Sequence, residues 1–160
     1  MHKARSLLVA VVMVISAAAL LSISASAAGP FTDVVFHIRP SFSGLNCPPF
    51  TCGTWDETVA GEIVDSGSYV REFAQTAPPD RPFGETGPYR EVFLLTSVSG
   101  TGTLTINAEE RALPDGDNTG VWQVHSGSGT YADASGHGTS NFNGPTLTLT
   151  LTGVIAKVAS

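Results

Sequence analysis

The stretch "TLTLTLTG", Thr146 to Gly153, sets how the rest of the chain is read. Leu147, Leu149 and Leu151 alternate with four threonines. A period of two places the leucines on one face and the threonines on the other, the pattern of a half-buried strand. "GTLTIN", Gly102 to Asn107, repeats it with Leu104 and Ile106. In "VWQVH", Trp122 and Val124 share one face while Val121, Gln123 and His125 take the other. Helical periodicity is almost absent, and glycines punctuate the alternation.

Extended outward, this reading predicts eight strands, near residues 32–38, 54–65, 67–75, 89–98, 102–110, 119–126, 136–143 and 145–155. Asp65-Ser66-Gly67, Ser99-Gly100-Thr101 and "PDGDN" at Pro114 to Asn118 supply tight turns, which join antiparallel neighbours. Two links are long. "PSFSGLNCPPFTCG" begins at Pro40. "APPDRPFGETGP", Ala77 to Pro88, has the irregular composition of loops found at the mouths of binding sites. The expected fold is all-β: a single antiparallel eight-stranded barrel, with a β-sandwich as the alternative. A closed barrel removes exposed edges and can enclose one small ligand.

The first 28 residues read differently. Lys3 and Arg5 precede an apolar run from Leu7 to Leu21, and Ala25-Ser26-Ala27 gives a small-x-small cleavage pattern. This is the grammar of a secretory signal peptide, too short to span a bilayer. The expected organisation is a leader at 1–28 and a barrel domain at 29–160, secreted, with no membrane association after cleavage. Without Lys3 and Arg5 the net charge of −6 becomes −8. That balance disfavours nucleic acid and anionic lipid as partners. Cys47 and Cys52, close together in an exported chain, are read as a structural disulfide. Two cysteines without matched partners make half a zinc site at best, and the spacing is not that of a redox C-x-x-C.

Val121 to Ser140, "VWQVHSGSGTYADASGHGTS", holds the groups most easily mistaken for chemistry. A Ser-His-Asp reading would take Ser126 or Ser128, His125 or His137, and Asp133, but proximity in sequence does not align a nucleophile, base and acid. Gly127 to Ala132 matches G-x-G-x-x-A, yet "DASGHG" follows where a phosphate-binding helix would have to start. The stretch is better read as a strand–turn–strand corner, with Tyr131 plugging one end of the barrel. His37, His125 and His137 lack paired ligand spacing and are expected at the surface. No metal and no cofactor are expected.

Charge on apolar parity is the more informative signal. Glu57 shares a face with Trp55, Val59 and Ile63; Arg71 with Tyr69 and Phe73; Glu91 with Tyr89, Phe93 and Leu95. Turned inward, Glu57, Arg71 and Glu91 would meet in one cavity, where desolvation demands partners or a function. The cavity candidates are therefore Trp55, Glu57, Tyr69, Arg71, Phe73, Phe93 and Trp122. Glu57 and Glu91 are the candidate catalytic carboxylates, since burial raises a carboxyl pKa toward that of an acid–base catalyst.

The order of "GTW" at Gly53 to Trp55, "GTLTI" at Gly102 to Ile106 and "GVWQVHSGSGTYADASGHGT" at Gly120 to Thr139 resembles exported bacterial proteins with an allene oxide cyclase-like barrel. The resemblance implies an eight-stranded barrel with an apolar cavity, broadly related to plant allene oxide cyclases and dirigent proteins, which steer reactive intermediates largely by shape. It carries no functional residue over by position. Three functions follow: a barrel that binds a small, largely apolar molecule, an isomerase or cyclase using the same cavity and one carboxylate, or a structural protein with a packed barrel.

Overall fold

The structure is a computed structural model that describes residues 29–41, 47–48, 50–76, 85–100 and 102–157. The leader and residues 77–84 of the proline-rich loop lie outside the described residues. Eight strands run in order: β1 (Thr32–Pro40), β2 (Cys52–Val59), β3 (Glu62–Thr76), β4 (Gly87–Ser97), β5 (Thr103–Ala112), β6 (Asn118–Gly127), β7 (Ser135–Asn143) and β8 (Thr148–Ala156). Each pairs antiparallel with the next, and β8 pairs with β1 to close the barrel. No strand keeps an unpaired edge, so the backbone donors of the sheet are satisfied internally.

The inward parity builds the core. Val34, Phe36 and Ile38 of β1 meet Leu149 and Leu151 of β8, Leu104 and Ile106 of β5, and Trp55 and Trp122. The Phe36 ring packs edge-on to Trp122 at 5.7 Å and tilted against Trp55 at 6.3 Å. Each indole faces a glycine on the next strand, Trp55 across from Gly67 and Trp122 across from Gly138. Each reaches over that glycine to donate to a carbonyl one strand further on: Trp55 Nε1 to Thr96 O and Trp122 Nε1 to Thr152 O, both at 3.2 Å.

Three local readings are corrected. The second hairpin turns at Ala60-Gly61, where both residues have positive φ (50° and 87°), the geometry of a two-residue primed turn that matches strand twist. Asp65, Ser66 and Gly67 are therefore strand, not turn, and Ile63 is 67% exposed rather than sharing the Trp55 face. A register shift between Arg71 and Phe73 inserts Glu72 as an extra residue and reverses parity, so Phe73 pairs with Val92 and faces outward. Leu147 has φ of 51° and lies in the turn from Gly144, so β8 begins at Thr148.

The even hairpin links and the odd ones gather at opposite ends. The β2–β3, β4–β5 and β6–β7 links form a closed end, plugged by Tyr131 from the short 3-10 turn Gly129–Tyr131. The other end is open among the described residues.

Candidate functional site: a cavity at the open end of the barrel

Inward side chains near the open mouth leave a cavity of about 340 Å³. Its apolar wall comes from Ile38, Phe50, Tyr69, Phe93, Ala112, Phe142 and Leu149. Phe50 is carried there by the segment that the Cys47–Cys52 disulfide closes, with Cα atoms 5.6 Å apart. The polar wall is Arg71, Thr76, Tyr89, Glu91, Glu110 and Asn118, with Glu85 also on the lining.

Two polar pairs organise that wall. Arg71 Nη1 donates to Glu91 Oε1 at 2.6 Å. Tyr89 donates its phenol proton to Glu110 Oε2 in a buried hydrogen bond. Glu110 is only 4% exposed, and its Oε1 has no hydrogen-bond donor. The Ser140 hydroxyl stands beside Glu110 and eases its ionisation without reaching a full hydrogen bond to it. Burial raises the Glu110 pKa, against the lowering effect of Tyr89 and Ser140. Burial pushes Glu91 up to about 7, with the Arg71 guanidinium opposing the shift and Glu110 adding to it. Burial also raises the Tyr69 phenol to about 12, and drives Tyr89 well above the usual phenol range. The site thus holds neutral phenols, a carboxyl that titrates near neutrality and a second buried carboxyl with one free acceptor.

The closed end holds a separate polar cluster. Tyr131 Oη lies 2.7 Å from Glu57 Oε2 and 2.8 Å from Asp65 Oδ2. Lys157 Nζ lies 2.6 Å from Glu57 Oε2 and 4.6 Å from the centre of the Tyr131 ring. Ser97 Oγ donates to Asp65 Oδ1 at 2.8 Å. A phenol has one proton, so it serves one carboxylate at a time. Burial and the two flanking carboxyls raise the Tyr131 pKa well above the ordinary range.

The seven cavity candidates therefore divide. Tyr69, Arg71 and Phe93 line the cavity, together with the catalytic candidate Glu91. Trp55 and Trp122 are buried in the barrel interior beyond the cavity lining. Glu57 belongs to the closed-end cluster rather than to the cavity of Arg71 and Glu91, because it sits near the end of β2 that enters the Ala60-Gly61 turn. Phe73 is outside, 42% exposed, for the register reason given above. Alternation missed Tyr89 and Glu110 as site residues, although Glu110 has the parity of Leu104, Ile106 and Ala108. Asp65 was hidden by its assignment to a turn.

The remaining candidates have structural roles. Ser128 Oγ accepts from the Thr103 backbone at 3.1 Å and pairs with Thr103 Oγ1 at 2.8 Å, tying the corner to β5. The G-x-G-x-x-A stretch runs into a three-residue 3-10 turn. His125 and His137 are exposed, while His37 Nδ1 lies 2.8 Å from Asp56 Oδ2 on the outer face. Burial alone would raise Asp56, but Arg39 and His37 outweigh it and hold the carboxyl below its usual value.

Fold and site together define a class: a closed, up-and-down eight-stranded β-barrel with one plugged end and a half-polar cavity at the other. Comparison with family models, curated proteins and solved structures returned no match.

Proposed function

We propose that this chain is an exported barrel that holds one small, largely apolar molecule in its open-end cavity. The observation that carries the reading is the cavity itself. Its volume of about 340 Å³ falls within the range of small-ligand pockets, and its wall is mostly aromatic and aliphatic with a few convergent polar groups. The leader pattern and the Cys47–Cys52 disulfide support export. The order of the sequence motifs resembles that of the allene oxide cyclase-like barrels, and an eight-stranded barrel is compatible with that resemblance.

A second reading, an isomerase or cyclase, is favoured by Glu91. A cavity carboxyl that titrates near neutrality can hold or release a proton under physiological conditions. A solidly packed structural barrel has the cavity against it.

Calorimetric titration with indole, a compact apolar probe, tests the binding reading. Uptake of one indole per chain is expected in the native protein. Ala112→Trp, which fills the lining from β5, should abolish it while the melting transition stays cooperative. Absence of uptake by the native protein contradicts the proposal.

A further inference from the structure

The polar wall of the cavity is unbalanced. Arg71 neutralises Glu91 through their ion pair, and no second cationic side chain lines the cavity among the described residues. Among the described residues, the groups that hydrogen-bond or stand beside the Glu110 carboxyl are neutral, the Tyr89 phenol and the Ser140 hydroxyl. Its Oε1 is buried without a donor. A buried carboxylate oxygen in that position costs free energy until a donor or a cation reaches it. The rings of Tyr69, Tyr89 and Phe93 line the same cavity, and π faces attract cations.

From this we infer that the cavity selects a protonated amine: a compact apolar ligand whose ammonium group meets the Glu110 carboxyl while its body packs against Phe93 and Leu149. The inference rests on the binding reading above and adds the charge of the ligand to it. An ammonium ion supplies a donor with positive charge. A neutral alcohol supplies only the donor. A carboxylate ligand would face Glu110 and Glu91 together, leaving Arg71 to serve both it and Glu91. Burial raises the Glu110 pKa, and a cation beside the carboxyl would oppose that shift.

The test compares 2-phenylethylamine with 2-phenylethanol, two probes of the same shape that differ in charge, by calorimetry at mildly alkaline pH. The amine is expected to bind roughly tenfold tighter, the scale of a hydrogen bond to a charged group. In Glu110→Gln, which keeps the shape and removes the charge, that preference should vanish. Equal binding of the two probes by the native protein overturns the amine inference and leaves the binding reading standing. A preference that survives in Glu110→Gln also overturns it. Failure of both probes to bind overturns the inference and the binding reading together. The native-protein comparison decides the matter even if Glu110→Gln does not fold.

Discussion

Trp122 and Gly138 face each other across β6 and β7, and the indole lies over the glycine to donate to Thr152 O on β8 at 3.2 Å. A Cβ at position 138 would stand 2.7 Å from Trp122 Nε1 and collide with the Thr152 carbonyl oxygen. The missing side chain is what admits the ring. Trp55 and Gly67 repeat the arrangement on the other side of the barrel, with Phe36 between the two indoles.

Gly138→Ala should therefore expel the Trp122 ring from its seat. Overpacking of this kind costs about 1–3 kcal/mol, which lowers the melting temperature of a domain this size by roughly 4–12 °C. Differential scanning calorimetry checks it. An unchanged transition would show that the ring does not depend on the gap.

Tyr131→Phe removes the one hydroxyl shared by Glu57 and Asp65 and keeps the ring. The carboxyl that holds the phenol proton then loses its donor inside the closed end, at a cost of about 1–3 kcal/mol. Urea denaturation should show a lower midpoint with an unaltered slope. Probe binding at the open end should be unaffected, which separates the plug from the site.

The pH dependence of stability carries a definite sign. Glu91 has a folded-state pKa raised from 4.5 to about 7, so the fold favours its protonated form. That contribution is complete below pH 4.5 and is lost as pH rises through about 7. Glu110, raised by burial, adds to the same trend. Glu91→Gln should flatten the fall in urea midpoint across this window, leaving the share of Glu110. Asp56 acts in the opposite sense and elsewhere, since its lowered pKa costs stability only in acid below 3.8. An identical pH profile in native protein and Glu91→Gln would mean that Glu91 is not desolvated.

The reach of the sequence can be argued from a few residues. Alternation gave the right number of strands and placed most of them because each barrel strand has one wet and one buried face, and Phe93, Leu104 and Leu149 are buried as that period requires. It failed where the period is interrupted. One extra residue at Glu72 turned Phe73 outward, and nothing in the local composition marks that bulge. The Ala60-Gly61 turn was obscured because alanine seldom occupies positive φ, whereas Asp65-Ser66-Gly67 has turn composition in a strand. Grouping Glu57 with Arg71 and Glu91 had a different cause. Parity assigns a side chain to the barrel interior but does not give its height along the axis, and these carboxyls stand at opposite ends.

Reducing the Cys47–Cys52 bond should reach the site as well as the fold. The short loop limits the loss of stability to roughly 2 kcal/mol. Phe50, on the cavity lining, sits within the closed loop. The double variant Cys47→Ser, Cys52→Ser should bind indole more weakly than the native protein while keeping a cooperative melt. Equal affinity would remove Phe50 from the binding wall.

The most direct test of the central claim is native mass spectrometry of the protein purified gently from its own host. A filled cavity predicts one added mass per chain that disappears on denaturation, and that is absent from the Ala112→Trp variant. An unadorned chain that also takes up neither indole nor 2-phenylethylamine would contradict the account.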